Sequence, residues 1–532
     1  MLSHPNGWQR DTAARLLFER RDPAAAPLLA NMLASSRVPL ARLHALHVLD
    51  GLGALNQTHV LTGLRDQDER VREHAVLLSE KLVKGGALAD ALWNQLRLMA
   101  ADPSIRVRFQ LAFTVGELRR PDRPQVLTGI LWRNPDNLWI NAAVLSSLAE
   151  GAGDLFLTLA GDPRVRGDAL GQEWLHQLAT MIGVKGQPEE VAQVLSFLDQ
   201  TRLEPQQAFA LLYALGDGLH RARSSLTLMD PQARLQRFYS QALNTLQNYS
   251  VPEPLRVGGI QFLGVSPYTF ANTGDLLLLQ LGFGQSEAIQ SAAIAALGRY
   301  RDPRIAPALI QRWRVLTPRL RHEACAALLA RTDRVGAILT ALENGRINGA
   351  DLSSAQVDFL RTQRDPALSQ RALQLFGPVP RQRPEAVQRF KPALGLKGAA
   401  IRGRDIFLAC CAACHPPEHQ AQALGPELAS AKIYGKEIIL KAILEPNADV
   451  RRDYLTYVVE MAEGEALIGL LHDENATTLT LQQLNGLSVV LPRANVLYLQ
   501  AQPWSLMPEG LEEGLTPQGM ADLLEYIVTV AL

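Results

Sequence analysis

Apolar residues recur every three or four positions through about the first 376 residues, in runs separated by Asp-Pro, Gly or short polar breaks. That period predicts amphipathic helices. The clearest runs are 8–19, 28–33 after Asp22-Pro23, 40–52, 68–82, 107–118 after Asp102-Pro103, and 138–148. The pattern returns at 287–297, at 305–313 after Asp302-Pro303, and at 318–330. It is less regular over 150–285. Spacings of roughly 30–45 residues fit stacked helix pairs. One pair cannot bury its apolar stripe alone, and stacking makes the core continuous. The alternative is an irregular helical domain. Gly377-Pro378-Val379-Pro380 and Pro384 then interrupt the pattern, which predicts a linker over 377–394 with a short helix at 385–389.

Beyond residue 395 the period changes. Segments 454–461 and 466–471 flank Glu463-Gly464, and 477–481 and 487–491 flank Asn485-Gly486, a strong hairpin signal. Residues 496–500 add an edge strand. The reading is a small antiparallel β insertion over about 454–500, between a helix at 436–444 and a loop at 505–511. Thr516-Pro517-Gln518 opens a final amphipathic helix that offers Leu523, Leu524, Tyr526 and Ile527 for packing.

The chain has 532 residues, too many for one ordinary domain. Its net charge is zero, with 53 basic and 53 acidic residues, but the balance is uneven. Residues 395–532 hold 9 Lys and Arg against 17 Asp and Glu, a charge of −8, which leaves +8 for residues 1–394. An acidic part beside a basic one suggests docking between them or separate partners. No dense Lys/Arg run marks nucleic-acid binding. No stretch reaches the ~18 apolar residues of a membrane span. The N-terminal residues contain no apolar signal core.

Chemistry concentrates at Cys411-Ala412-Ala413-Cys414-His415. This C-x-x-C-H pattern is the attachment signature of c-type haem. Two thiols add across the two vinyl groups of one haem, and the next residue places an imidazole under the iron. A zinc site needs about four ligands and no second Cys pair exists; a thioredoxin-like pair would sit near a βαβ pattern, which is not seen. Cys410 reads as a packed thiol turned away from the ring, and Cys325, on an apolar helical face, as a buried small hydrophobe. His44 and His47 share one helix face without a third ligand nearby. His74 and His322 read as isolated packed or surface histidines. No phosphate loop, His-Glu-x-x-His or Gly-x-Ser-x-Gly motif occurs in the helical part.

Several stretches together carry a family resemblance. Gly403 to Phe407 leads into the Cys motif, Leu424-Gly425-Pro426-Glu427-Leu428 follows it, and Ser505-Leu506-Met507-Pro508-Glu509-Gly510-Leu511 precedes the last helix. This order resembles the cytochrome c superfamily. With Glu445-Pro446-Asn447 and Arg493 it is closer to the haem-binding domain of planctomycete-type putative membrane-bound dehydrogenases, where the cytochrome follows helical repeats. Val71-Arg72-x-x-Ala75 and Val107-Arg108-x-x-Leu111, 36 residues apart, resemble the inner helix of HEAT repeats. The fold class expected is therefore mainly α: a HEAT-like α-solenoid at 1–376, a Pro-rich linker at 377–394, and a c-type cytochrome domain at 395–532 with the β insertion.

The resemblance implies one covalent haem c, held by Cys411 and Cys414, with His415 proximal and Met507 distal. Gly425 and Pro426 would form the proximal loop, the Pro426 carbonyl accepting a hydrogen bond from His415. Met507 lies 92 positions after His415. Met461 and Met520 fall in a strand and a helix, where packing is expected; His419 and His472 are the rival ligands. The implied function is one-electron transfer by a non-enzymatic protein, to or from a redox partner such as a sugar or alcohol dehydrogenase. The alternatives are a peroxidase-like haem enzyme and a haem-regulated interaction scaffold. Because c-type attachment takes place outside the cytoplasm, a periplasmic location is expected, and with it a parent protein longer at its N-terminus.

Overall fold

The computed structural model describes residues 1–83, 88–282, 284–378, 383–416, 424–426, 428, 431–448, 450–475, 477–483 and 486–529. His419, Glu427, Asn485 and the linker stretch 379–382 lie outside the described residues. The protein is mainly helical, with one small antiparallel sheet near its C-terminus. The chain divides into two compact units, Met1–Arg237 and Phe238–Leu532.

In the first unit, helices alternate between two layers. Gly7–Arg20 packs on Pro39–Gly51, that helix on Glu69–Ser79, and so on to Ile105–Gly116 and Leu138–Ser146. Ala25–Ser35, Gln57–Leu64 and Asp90–Leu98 form the second layer in the same way. The polar breaks act as caps: Asn6, Asn56 and Asp68 each accept a backbone N–H from the helix they precede. Residues 150–285, irregular in sequence, are also largely helical. Ala169–Lys185 keeps a helical period of buried positions, but Gly171 and Gly183 stand among them. Glycine at a buried position reads as a break in sequence.

A recurrent arginine joins successive pairs. Arg42, Arg72 and Arg108 each reach back six residues to a carbonyl, at Ser36, Asp66 and Asp102. Each also reaches forward to the next pair. Arg42 bonds Asp66 at 2.6 Å, Arg72 bonds Asp102 at 2.8 Å, and Arg108 bonds Asn134 at 2.6 Å. The Arg42–Asp66 and Arg72–Asp102 pairs are bidentate, which fixes direction as well as distance. Arg72→Ala leaves the buried Asp102 carboxylate without its cation, so it is expected to cost about 3 kcal/mol. Urea unfolding followed by helical circular dichroism reads this loss, and an unchanged midpoint would refute it.

Within the second unit, helices again pack in two layers. Glu253–Leu263 packs on Glu287–Arg299, and that on Pro318–Leu329; Ile305–Gln311 packs on Val335–Glu343, and that on Pro366–Phe376. The short helix expected at 385–389 is Pro384–Phe390. The sheet has the order β4-β3-β2-β1-β5, all antiparallel: β1 Leu455–Met461, β2 Ala466–Glu474, β3 Thr478–Gln483, β4 Ser488–Pro492 and β5 Val496–Ser505. β5 is an edge strand as expected; its partner is β1, and it runs to Ser505 and not to 500. Its extension delivers the chain directly to Leu506 and Met507.

Alternation along the strands separates two faces. Val459, Met461, Leu467, Leu479, Leu481 and Leu491 form one apolar core. On the other face, Leu470 and Trp504 pack with Ala355 of helix Ser354–Arg361 and with Leu424. The β1–β2 turn is tied to the segment after helix Pro318–Leu329: Ala466 N–H donates to the Ala330 carbonyl at 2.8 Å, and Thr332 N–H to that of Gly464 at 3.3 Å. Among the described residues, no helix is long and apolar enough to cross a membrane.

Candidate functional site

The Cys motif begins where helix Ala400–Cys410 ends. That helix crosses the last helix, Pro517–Thr529, at Gly403, where a Cβ would come within 2.6 Å of the Asp522 carbonyl carbon. Only glycine allows this approach. Phe407 and Tyr526 pack one turn on, with ring centroids 5.1 Å apart. Asp522 is buried and collects bonds from Ala399 N–H (2.7 Å), Arg402 (2.7 Å) and Gln518 (3.0 Å). Burial pushes its carboxyl up, but these bonds outweigh burial and hold the pKa below the ordinary value. The two helices are thus locked by packing and by a charged anchor.

The chain then turns tightly. Cys411 N–H bonds the Phe407 carbonyl at 2.8 Å, and both Cys414 N–H (3.1 Å) and His415 N–H (2.9 Å) bond the Cys411 carbonyl. Gly425 N–H closes the loop on the Cys414 carbonyl at 2.8 Å. The His415 ring sits 2.8 Å through Nδ1 from the Pro426 carbonyl. Donation from Nδ1 makes it the protonated nitrogen and leaves the Nε2 lone pair for a metal. Burial lowers the imidazole pKa, against the opposing effect of the Pro426 bond, so the ring is held neutral, as a ligand must be. A Cβ on Gly425 would lie 2.6 Å from Nδ1. A side chain at 425 would therefore push the His415 ring out of its place.

Cys411 and Cys414 are partly exposed and unbridged. Burial pushes the Cys411 thiol up to about 12, and also raises Cys414. Burial thus works against thiolate formation at both residues. Cys411 borders the core of Phe390, Phe407, Leu440, Leu444, Met520 and Leu524, and Met507 and Leu428 border the same core. Cys414 borders the second cluster with Leu424, Trp504 and Leu506. Adjacent residues Leu506 and Met507 therefore meet the same two clusters as the two cysteines. Of the six expected site residues, hydrogen bonds join Cys411, Cys414, His415, Gly425 and Pro426, and Met507 borders the same core as Cys411.

No family model matches the chain. No curated protein matches it either. Its site therefore rests on residues and geometry. Among the described residues, no three His, Cys, Asp or Glu side chains gather as an ion site. A haem needs no such cluster, since the macrocycle supplies the equatorial donors and the protein only the axial ones. The residues fit that group. Besides the His415 cradle, Trp504 is fully buried beside Cys414, and its indole N–H has no partner among the described residues. A buried donor left unpaired is costly and calls for an acceptor.

The rival axial ligands separate. Met461 is buried in the sheet core and Met520 in the helical core, both packed as expected. His472 is exposed on β2. Cys325 is fully buried, as expected, with its thiol pushed up to about 12. Cys410 corrects the sequence reading: it is exposed, not packed. It is the last helical residue before the chain turns inward at Cys411.

His74 is a second correction. It is not isolated: its Nδ1 lies 2.8 Å from His47 Nε2, joining neighbouring helices Pro39–Gly51 and Glu69–Ser79. No sequence signal pairs residues 27 apart on different helices. Burial lowers the His47 pKa and His74 lowers it further, while Asp50 opposes; His44, near Asp11, is lowered mainly by burial. A folded pKa below the unfolded value of ~6.5 means that stability is complete above that pH and is lost as pH falls through the folded value. Stability of the helical part against urea is therefore expected to fall as the pH drops below ~6.5. The slope should flatten in His47→Asn. A pH-independent midpoint would reject this.

Proposed function

We propose that this protein carries one haem c and transfers single electrons. Cys411 and Cys414 would form the thioether bonds, His415 Nε2 the proximal bond and Met507 the distal bond. The observation that carries this reading is the His415 Nδ1–Pro426 carbonyl bond of 2.8 Å behind a C-x-x-C-H turn, with Gly425 leaving no room for a side chain. Such a bond orients the ring and strengthens it as a donor. When bound, the haem supplies reversible one-electron chemistry. The protein's part is to hold the axial donors, exclude water with the Leu424–Trp504–Leu506 and Phe407–Leu444–Met520 clusters, and present a docking surface.

On this reading residues 395–532 form a cytochrome c domain of the planctomycete-type dehydrogenase kind. The sheet serves as its insertion, covering the Cys414 side. The helical pairs are HEAT-like, a reading supported by the repeated Arg42, Arg72 and Arg108 bonds. The protein would act as an electron carrier and not as an enzyme, with a dehydrogenase as partner, outside the cytoplasm where covalent attachment takes place. The acidic charge of 395–532 favours a basic partner surface, whose encounter rate falls with salt. The test is expression with export and c-haem maturation. The expected result is haem that survives denaturing electrophoresis and an absorption spectrum that cycles reversibly with one electron. A chain without covalent haem under those conditions would overturn the proposal.

A further inference from the structure

The turn that follows helix Ala431–Leu444 is built around Glu445-Pro446-Asn447, and its two polar side chains are buried. Asn447 uses both ends of its amide. Its Oδ1 accepts from Ser505 N–H at 2.8 Å, and its Nδ2 donates to Glu509 Oε1 at 2.6 Å. Those two residues stand two positions before and two after Met507. Inside this bracket, Ser505 Oγ accepts from Met507 N–H at 3.1 Å. The turn itself is anchored on Arg383. Arg383 N–H donates to Glu445 Oε1 at 2.7 Å, and its guanidinium bonds the Leu444 carbonyl at 3.2 Å and Glu512 at 2.7 Å. Glu512 is buried and stands at the far end of the Met507 loop.

The loop from 505 to 512 is thus pinned at its start, just past its centre and at its end by groups outside it. A loop residue fixed before a ligand binds loses less conformational entropy on binding. A methionine side chain is long, flexible and unbranched, so its backbone must be held if its sulfur is to occupy one place. A thioether is also a weak donor that competing ligands displace when the loop is free to swing away.

We propose that Asn447 is the positioning residue for the axial sulfur: it holds the Met507 loop so that the thioether stays on the iron and excludes other ligands. This rests on Met507 being the distal ligand. The chemistry is specific to an amide. A carboxylate at 447 keeps the acceptor for Ser505 but faces Glu509 with like charge and no proton to share, which pushes the loop open. A glutamine at 509 can donate to that carboxylate and restore the bond in the reverse direction.

The test uses the haem-loaded full chain, with free imidazole as the probe that competes with the sulfur in the oxidised protein. Asn447→Asp should raise imidazole affinity about tenfold, equivalent to ~1.4 kcal/mol, and weaken the sulfur-to-iron absorption band. Adding Glu509→Gln to Asn447→Asp should return both to near the parent values, a rescue that general destabilisation would not produce. Glu509→Ala, at a half-buried loop position that threatens folding less, should shift imidazole affinity in the same direction by a smaller factor. If Met507→Ala changes the band while Asn447→Asp and Glu509→Ala leave imidazole binding unchanged, the positioning role is wrong and the ligand assignment stands. An unchanged band in Met507→Ala would remove the ligand assignment, and this proposal with it.

Discussion

Replacing Cys411 and Cys414 together by alanine is expected to remove all covalently held haem, seen as complete loss of haem staining on a denaturing gel. Replacing Cys410 alone should leave the staining intact. The physical basis is placement. Cys411 and Cys414 sit within the hydrogen-bonded turn that carries His415, one against each apolar cluster. Cys410 ends the preceding helix and is exposed to solvent. Each single variant, Cys411→Ala or Cys414→Ala, keeps one thioether and should give weaker staining. Loss of staining in Cys410→Ala, with retention in Cys411→Ala, would reverse the assignment of the attachment pair.

In the oxidised holoprotein, Met507→Ala should lose the weak sulfur-to-iron charge-transfer absorption. Its reduction potential should fall by on the order of 0.1–0.2 V, a modest part of the roughly 0.8 V that axial ligands command. The direction follows from the thioether, which favours reduced iron over oxidised iron. The variant should also bind small ligands at the vacated position. Met461 and Met520 are buried in separate cores and His472 is exposed on β2, so none is placed as a ready substitute. A variant with unchanged spectrum and potential would defeat the assignment. It would also remove the main argument against a peroxidase-like haem enzyme, which needs an open distal position.

The legibility of this chain followed the range of each interaction. Helices such as Pro39–Gly51 and Pro318–Leu329 were visible because an amphipathic period is written within a dozen residues. The strands were visible because alternation and a turn signal are equally local. The candidate site was legible where its chemistry is contiguous. Cys411, Cys414 and His415 form one motif, and Gly425-Pro426 lies close enough in sequence to be read as its loop. The His415–Pro426 bond expected from the resemblance is present in the geometry.

What the sequence determined by itself, then, was which segments have a face to bury and which residue types can form a haem attachment turn. Tertiary structure alone decided which faces meet. Asp102 reads as part of an Asp-Pro turn, yet its partner is Arg72, 30 residues earlier. His74 looks solitary until Glu69–Ser79 packs on Pro39–Gly51. Asn447 gains its two hydrogen bonds only when Ser505 and Glu509 are brought to its two ends. Periodicity records that a stripe is apolar, not the identity of its neighbour. Hydrogen bonds between distant segments depend on directions and separations of a few ångströms, which exist only once the layers have packed.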